Sequence, residues 1–261
     1  MTLCPPEFVA LAHDLADAAR PVVRKYFRTP ISVDEKSDNS PVTIADREVE
    51  ATMRTLINQR FPEHGIFGEE HGQERADAEW VWVLDPIDGT QAFITGKPSF
   101  GTLIALCRNG VPVLGVIDQA ILGERWIGAD GLPTTLNGQP ARVRPCDDIA
   151  KAYAFTTGPE YFDVATLPAW NRVAAAAKRP RYGCDCYAYA LLASGFVDVV
   201  VEAGLKPYDF AALVPVIRHA GGTVTDWEGK ALSIRSDGKV CAAGDARVHA
   251  QVLKVLAGSQ G

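Results

Sequence analysis

The stretch Trp82–Phe93 reads WVLDPIDGTQAF, and in it an apolar run ends abruptly in two aspartates. Asp85 and Asp88 follow a predicted strand, Trp80–Leu84, and lie three residues apart across a Pro-Ile turn, so both carboxylates can face one point beyond the strand end. Burying an unpaired charge costs several kcal/mol, so two carboxylates at this place need a positively charged partner.

A hard divalent cation is the partner that this pattern favours. Magnesium takes oxygen ligands, typically a few carboxylates together with water and phosphate oxygens. The Ile87 carbonyl, exposed by the turn, can add another oxygen. Gly89 and Thr90 would open the next helix, where backbone N–H groups are a natural seat for phosphate. An Asx turn at the strand end is the alternative interpretation, and it explains one aspartate well and two poorly.

Further acidic groups stand where strands or loops meet helices. Asp46 follows Thr43 at the start of a predicted helix, and a capping box is the simpler interpretation of that pair. Glu69 and Glu70 are two adjacent glutamates on a turn, which are usually solvated, but the apolar residues before them favour one that points inward. Asp209 is a good N-cap for a helix, and a cap uses only one carboxylate oxygen, so capping is compatible with metal ligation.

The remaining pattern predicts two parts that divide near residue 140. A chain of 261 residues is long enough for one large domain or two small ones that share an interface. In residues 1–140, periodicity predicts a helix before Arg28, a loop at Lys36–Val42, a helix from Thr43 and antiparallel strands over Gly101–Gly128. We expect this first part to be α+β.

The second part, residues 141–261, alternates strand-like and helix-like segments and is expected to be α/β. The predicted strands are Tyr153–Thr157, Val197–Glu202, Thr223–Asp226 and Val240–Ala243. The predicted helices are Pro168–Lys178, Tyr187–Ser194, Phe210–Ala220 and Ala246–Leu256. Pro215 falls inside one of these helices, where it should remove a hydrogen bond or introduce a kink.

Composition limits the classes of function. Apolar residues make up 47% and charged residues 22%, as in ordinary globular proteins, and the net charge of −6 argues against a general nucleic-acid surface. Six scattered cysteines predict free thiols in a reducing compartment. The amino-terminal segment lacks the pattern of a signal peptide, and no run approaches the roughly 18 apolar residues of a membrane span. We therefore expect a cytoplasmic protein that binds neither membranes nor nucleic acids.

Asp88-Gly89-Thr90 also matches the end of the D-x-D-G-T motif of haloacid-dehalogenase-type phosphatases. In that motif the first aspartate is the nucleophile, and here Pro86 stands in its place. This interpretation therefore fails at the residue on which the chemistry depends.

Four stretches, in this order along the chain, resemble the inositol monophosphatase family of magnesium-dependent, lithium-sensitive phosphatases. They are Lys36 with Asp46, Gly68-Glu69-Glu70, Asp85-Pro86-Ile87-Asp88-Gly89-Thr90, and Tyr208–Ala212 with Ala220-Gly221-Gly222. The resemblance implies a layered αβαβα sandwich, usually in a homodimer, that acts on a small phosphorylated substrate.

The same resemblance implies a set of ligands and roles. Glu69, Asp85 and the Ile87 carbonyl would bind one metal, Asp85, Asp88 and Asp209 a second, and Glu69 with Asp46 through water a weaker third. Two to three Mg²⁺ ions per subunit are expected, with Mn²⁺ as a possible substitute. Two such metals, about 4 Å apart, can hold the attacking and leaving oxygens of an in-line displacement.

The phosphate and the attacking water have implied partners as well. Gly89 and Thr90 would bind the phosphate, and Thr90 with Asp46 would orient the water. Lys36 would contribute from its loop.

Asp185 and Glu202 are the candidate contacts of the leaving group. Asp185 opens a predicted helix, and a simple helix N-cap is the alternative role for it. Glu202 ends a predicted strand, and its alternative is a side chain that is merely exposed. Two carboxylates suit a cationic alcohol better than a neutral polyol. Asp209 would also face the substrate. Directly after Asp88-Gly89-Thr90 this chain has Gln91, whereas an arginine would be expected there in the family branch named in the next paragraph.

The segments around these residues look like the histidinol-phosphate phosphatase branch of the family. That implies hydrolysis of L-histidinol phosphate to L-histidinol and phosphate, in histidine biosynthesis. An inositol-1-phosphatase or a broader sugar-phosphate phosphatase is the second hypothesis. A non-catalytic metal-binding or scaffold protein is the third, and the intact set of metal ligands together with Thr90 argues against it.

Overall fold

Two long helices form the first layer of the molecule. In the computed structural model, which describes residues 3–35 and 41–258, α1 (Pro6–Tyr26) and α2 (Ile44–Arg60) pack on each other and on one face of a large sheet. Each helix buries an apolar stripe at helical spacing, with Leu11 and Leu15 on α1 and Met53 and Ile57 on α2 at most 1% exposed. Both predicted helices are confirmed.

The large sheet is the second layer of the molecule. A separate two-stranded ribbon, formed by β1 (Val33–Glu35) and β2 (Pro41–Thr43), precedes α2 in the chain. The predicted loop Lys36–Val42 is wrong at Pro41 and Val42, which belong to β2, and residues 36–40 lie outside the described residues. The large sheet contains β3 (Gly65–Gly68), β4 (Gln73–Glu74), β5 (Trp80–Asp88), β6 (Gly101–Arg108), β7 (Val111–Gln119), β8 (Glu124–Ala129), β9 (Leu132–Leu136) and β10 (Gln139–Pro140). Their order is β10-β9-β8-β7-β6-β5-β3-β4. Only the β3–β5 pair is parallel, so the predicted antiparallel strands over 101–128 are confirmed.

β5 runs four residues beyond the predicted end at Leu84, and this added part contains a bulge between Asp85 and Asp88. Asp85 pairs with Leu103 and Asp88 with Gly101, so three steps along β5 match two steps along β6. Side chains alternate between the faces of a regular strand, so residues three apart would point in opposite directions. The extra residue reverses this parity and turns both aspartates to the same face.

The middle layer consists of short helices. They are α5 (Asp185–Ala193), α6 (Pro207–Phe210) and α7 (Leu213–His219). A further short helix, α3 (Thr90–Ile94), follows β5 after Gly89 and instead buries Ala92 and Phe93 in the core beneath α1 and α2. α5 and α7 contact strands of both sheets. The single helix predicted over Phe210–Ala220 is wrong, since the helix breaks at Ala211-Ala212. This break places Pro215 in the first turn of α7, where its missing N–H has no intrahelical partner, so the expected kink is not needed.

A second sheet and two outer helices complete the molecule. Its strands are β11 (Tyr153–Thr156), β12 (Arg179–Tyr182), β13 (Val199–Glu202), β14 (Thr223–Thr225) and β15 (Val240–Ala243), in the order β12-β11-β13-β15-β14. α4 (Leu167–Ala176) and α8 (Ala246–Leu256) pack together on its outer face. The resulting layers are α, β, α, β, α, which confirms the expected layered sandwich. β12 was not predicted, and the division at residue 140 stays a prediction.

Two chain-wide expectations can be compared with the structure. All six cysteines are unpaired thiols. None of the helices in residues 3–35 and 41–258 has the length and apolarity that a bilayer crossing requires.

Candidate active site

Three carboxylates converge where β5 ends. Asp85, Asp88 and Asp209 each offer an oxygen, and these three atoms lie within 4.8 Å of one another. Burial and then the neighbouring charge of Glu69 raise the pKa of Asp85 well above its usual range, and burial and then Asp185 do the same for Asp88. Burial also raises the pKa of Asp209 to about 7. The cluster therefore brings three acidic groups to one point, where burial and neighbouring carboxylates oppose their ionisation.

Each of these aspartates is held in place by a backbone N–H group. Ile87 N–H donates to Asp85 Oδ1 over 3.1 Å, Cys186 N–H donates to Asp88 Oδ2 over 2.7 Å, and Lys206 N–H donates to Asp209 Oδ2 over 2.6 Å. The Asx turn considered for the strand end is thus present at Asp85. Asp209 is the third residue of α6 rather than its predicted N-cap. Each bond engages one carboxylate oxygen and leaves the other able to face the cluster.

Asp46 reaches the same region from the start of α2. Its Oδ2 accepts the N–H of Thr43 at 2.8 Å and the hydroxyl of Thr43 at 2.6 Å, so the capping box is present. Its Oδ1 lies 3.5 Å from Thr90 Oγ1, which also donates to the Ile87 carbonyl over 3.1 Å. Capping and an approach to Thr90 therefore coexist. Burial raises the pKa of Asp46, and the Thr43 bonds oppose that rise.

Glu69 stands beside the three aspartates. Its N–H donates to the carbonyl of Leu84, next to Asp85, over 3.2 Å. Its charge contributes to the raised pKa of Asp85 and of Asp209, so its carboxylate is close to both.

Gly89 connects β5 to α3 in a conformation that few other residues adopt. Its φ is +82°, and a Cβ at this position would lie 2.7 Å from Cγ of Asp185. Both observations require glycine. The close approach also places the Asp185 carboxylate directly against the Gly89-Thr90 turn.

A cavity of about 280 Å³ opens over these groups. Five carboxylates line it, and among its lining residues, all in the described part of the chain, Lys206 is the only basic one. Asp85 and Ile87 lie buried beneath it. Lys36 lies outside the described residues. The predicted site residues that line the cavity are Glu69, Asp88, Gly89, Thr90, Asp185, Glu202 and Asp209.

Asp185 does not cap a helix. Cys184 occupies the N-cap of α5, and Asp185 follows it with φ +47°, a conformation that is uncommon for aspartate and strained. Its Oδ2 accepts a hydrogen bond from Ser99 Oγ over 2.9 Å. Burial raises the pKa of Asp185, and the Ser99 bond and the charge of Lys97 oppose that rise.

Glu202 is buried at the end of β13, which excludes the alternative of a merely exposed side chain. Its Oε1 accepts both the N–H and the hydroxyl of Thr157, and its Oε2 accepts the hydroxyl of Tyr189 over 2.7 Å. Burial raises the pKa of Glu202, and these bonds oppose the rise. The carboxylate is thereby fixed in one orientation at the cavity wall.

Comparison with known proteins places this arrangement in a family. The model of the inositol monophosphatase family matches residues 5–260. The chain belongs to the inositol monophosphatase family. It is 54% identical over 258 residues to the chloroplastic bifunctional phosphatase IMPL2 of Arabidopsis thaliana, covering 95% of this chain and 75% of that protein. It is 36% identical to the histidinol-phosphatase of Chlorobaculum parvum, covering 89% and 90%.

Solved structures of the inositol monophosphatase family share the fold. An inositol monophosphatase from Zymomonas mobilis aligns with a TM-score of 0.90 at 46% identity, covering 97% of this chain and 98% of that one. An inositol monophosphatase from Anabaena aligns with a TM-score of 0.85 at 29% identity, covering 97% and 96%. The chain is therefore a phosphatase of the inositol monophosphatase family.

The donor set of the cluster fits the divalent cation, Mg²⁺, that this family generally uses. The oxygens of Asp85, Asp88 and Asp209 are hard ligands, and softer donors from histidine do not enter the group. Burial, and after it the neighbouring carboxylates, raise the pKa of these aspartates, and a bound cation would oppose both effects by favouring their charged forms.

Sequence reasoning missed the residues that hold the substrate-side carboxylates. Ser99 and Thr157 carry no local signal, because they meet Asp185 and Glu202 only through the fold. Tyr189, which donates to Glu202, had a local signal. It lies four residues after Asp185, and this spacing puts both residues on one face of a helix.

Proposed function

We propose that this phosphatase hydrolyses L-histidinol phosphate to L-histidinol and phosphate, a step of histidine biosynthesis, with Mg²⁺ as cofactor. The observation that carries the proposal is the Asp185 carboxylate, held by Ser99 against the Gly89-Thr90 turn in a strained backbone conformation. A strained, half-buried carboxylate at this turn can pair with the leaving group if that group is cationic. The named histidinol-phosphatases among the relatives support this choice.

Charge in the cavity explains the preference. Histidinol phosphate carries an ammonium group and an imidazole, both able to form charge-assisted hydrogen bonds with carboxylates. Asp185 and Glu202 are the lining carboxylates outside the Asp85, Asp88 and Asp209 cluster and Glu69. A neutral polyol would bring no positive charge to these two carboxylates, which Ser99, Thr157 and Tyr189 stabilise only through hydrogen bonds and Lys97 through its charge at Asp185.

The proposed metal ligands follow the resemblance residue by residue. Glu69, Asp85 and the Ile87 carbonyl would hold one ion, and Asp85, Asp88 and Asp209 a second. Glu69 with Asp46 through water would hold a third, and Mn²⁺ could substitute. Bound cations would supply the positive charge that phosphoryl transfer needs and would make water more acidic.

The chain's own residues would orient the reactants. The N–H groups of Gly89 and Thr90 would bind phosphate oxygens. Thr90 Oγ1, which donates towards Asp46 Oδ1 and the Ile87 carbonyl, can accept a hydrogen bond from the attacking water. As this hydroxyl takes a proton from the water, it would pass its own proton to Oδ1 of Asp46, whose Oδ2 is held by Thr43.

A second candidate substrate is inositol-1-phosphate or a broader set of sugar phosphates. The 46% identity to the Zymomonas mobilis inositol monophosphatase over nearly the whole chain favours it.

Substitution of Asp185 tests the proposal. In Asp185→Asn the Ser99 bond can persist but the charge is lost, so kcat/KM for histidinol phosphate should fall roughly 10- to 100-fold, the loss of one charge-assisted hydrogen bond. Hydrolysis of p-nitrophenyl phosphate, which has no cationic group, should change less than about threefold.

Glu160→Gln provides the matched control. Glu160 is an exposed carboxylate one residue before Tyr161 at the cavity rim, and its loss should leave both substrates unaffected. Equal losses on both substrates in Asp185→Asn would mean that Asp185 is only structural and would contradict the substrate assignment.

A further inference from the structure

Glu50 is a buried carboxylate on α2 that no motif marks. It is 0% exposed and lies four residues after Asp46, so both point from one face of the helix towards the site. It faces the loop of residues 69–72 between β3 and β4. A fully buried charge persists only with several partners, and Glu50 has them.

The partners of Glu50 are two backbone N–H groups of this loop and the side chains of Arg54 and His71, whose Nδ1 lies 3.4 Å from Oε1. Its Oε2 accepts Glu70 N–H over 2.7 Å, and its Oε1 accepts His71 N–H over 3.1 Å. Arg54, one turn further along α2, donates to Oε1 over 2.7 Å and also to the carbonyl of Gly72. Glu50 and Arg54 together therefore hold three consecutive residues of the loop from one helix face.

Gly68 makes this approach possible. A Cβ on Gly68 would collide with Oε1 of Glu50 and press on Arg54. Gly68 N–H donates to the Gly72 carbonyl over 2.9 Å, which closes the loop on itself. The glycine of the Gly68-Glu69-Glu70 stretch is thus required by the carboxylate beneath it.

Glu69 lies between two fixed points. Its own N–H is bonded to the Leu84 carbonyl beside Asp85, and the next N–H in the chain is bonded to Glu50. We propose that Glu50 is a positioning residue that sets the loop before any cation binds, so that Glu69 faces the aspartate cluster in advance. This rests on the proposed role of Glu69 as a metal ligand.

Preorganisation has a measurable consequence. If the loop is already ordered, Mg²⁺ does not have to order it. In Glu50→Gln the amide NH₂ would meet the N–H of Glu70 or His71, two donors facing each other, and Arg54 would keep only Glu74 as a charged partner. Removing such supporting groups typically weakens metal binding about 10- to 100-fold.

Calorimetric titration of the substrate-free protein with Mg²⁺ tests this directly. We expect Glu50→Gln to bind Mg²⁺ at least about tenfold more weakly than the wild type. Glu48→Gln, on the exposed side of the same helix turn, should match the wild type. At saturating Mg²⁺, KM of Glu50→Gln for the phosphate ester should be unchanged. Wild-type Mg²⁺ affinity in folded Glu50→Gln would overturn the proposal, whereas no Mg²⁺ binding by the wild type would instead overturn the proposed function.

Hydrogen exchange of the wild-type protein gives a test that needs no variant. In EDTA, the amides of Glu70 and His71 should exchange at least about 100-fold more slowly than in an unstructured peptide, and added Mg²⁺ should change this little. Free exchange in EDTA with protection only after Mg²⁺ addition would show that the cation orders the loop and would overturn the role of Glu50.

Discussion

Individual carboxylates in this site accept a backbone N–H at the start of a helix and also contribute to the acidic cluster. Asp88 accepts an N–H at the start of α5, Asp209 one at the start of α6, and Asp46 caps α2. Each bond ties a carboxylate to an element that the core holds in place, and the positive end of the helix offsets part of its charge. The candidate ligands are therefore oriented before a cation arrives.

Asp88→Asn separates these two duties. Asparagine can still accept the Cys186 N–H, so the fold should persist, but the cluster loses a charged ligand. We expect kcat for p-nitrophenyl phosphate to fall at least about 100-fold. The melting temperature in EDTA should stay equal or rise, because a buried like charge has been removed. Exposed Asp237→Asn is the control, and more than a tenth of wild-type kcat in Asp88→Asn would contradict the metal assignment.

Thr90 can be tested with a pair of variants. Thr90→Ser keeps the hydroxyl that donates towards Asp46 and the Ile87 carbonyl, whereas Thr90→Ala removes it. We expect kcat to fall about 100-fold or more in Thr90→Ala and less than about tenfold in Thr90→Ser. Steady-state kinetics at saturating Mg²⁺ measure the difference, and equal kcat values for the two variants would exclude the hydroxyl from proton transfer.

At the level of elements, the bulge in β5 and the turn after it build the site. The bulge brings Asp85 and Asp88 to one face, and Gly89 then turns the chain into α3 with its positive φ. Both features lie within five consecutive residues, which explains why so short a stretch of sequence predicts so much of the site.

Gly89→Ala should damage this element. Its Cβ would press on Asp185 Cγ, and a left-handed conformation costs an L-residue about 1–2 kcal/mol. We expect a melting temperature lower by a few degrees. Activity should fall on histidinol phosphate and on p-nitrophenyl phosphate alike, because both phosphate and leaving-group contacts shift. Thermal denaturation and kcat/KM on the two esters measure this, with Gly123→Ala, where a Cβ meets no neighbour, as control for the backbone strain. Wild-type values for Gly89→Ala would refute the crowded turn.

Prediction from sequence succeeded where the signal was local. The stripes of α1 and α2, the hairpins at Asn109 and Leu122 and the strand before Asp85 are repeats or turns within a few residues of each other. Prediction failed where packing decided the outcome. The break between α6 and α7 and the short strand β12 have no strong periodicity of their own.

The candidate site divides in the same way. Asp85, Asp88, Gly89 and Thr90 could be found from one stretch. Ser99 and Glu50 could not, because their roles depend on bonds to Asp185 and to the 69–72 loop that only the folded chain creates. Glu50 left one trace, its spacing of four residues from both Asp46 and Arg54.

At the scale of the whole molecule, the charge of the site links stability to pH and metal. The folded-state pKa of Asp209 is about 7, against an ordinary value of 3.8. A raised folded pKa means that the folded state binds this proton more tightly, so the contribution to stability is complete below about pH 4 and is lost as pH rises through 7. Asp85 and Asp88 shift in the same direction.

Mg²⁺ competes with these protons, so its stabilising effect should grow with pH. We expect saturating Mg²⁺ to raise the melting temperature by about 5–10 °C at pH 8 and by much less at pH 5. The difference between melting curves in Mg²⁺ and in EDTA isolates this effect, since histidines remote from the site contribute equally to both. In Asp209→Asn, the rise in melting temperature caused by Mg²⁺ should vary less with pH. A rise that is the same at all pH values in the wild type would contradict the acidic cluster as the Mg²⁺ site.

The homodimer and the cytoplasmic location stay predictions of the family resemblance and of the composition. Light scattering of the purified protein tests the first, with a mass of twice the 28.1 kDa chain as the expected result and a monomer as the opposing one.

Asp185 and Glu202, the carboxylates on the substrate side, are proposed to select a cationic leaving group. The most direct measurement compares kcat/KM for L-histidinol phosphate and for inositol-1-phosphate, with the wild-type protein and saturating Mg²⁺. We expect kcat/KM to be at least about 100-fold higher for histidinol phosphate, because inositol cannot form the two charge-assisted hydrogen bonds with these carboxylates. An equal or greater kcat/KM for inositol-1-phosphate would contradict it.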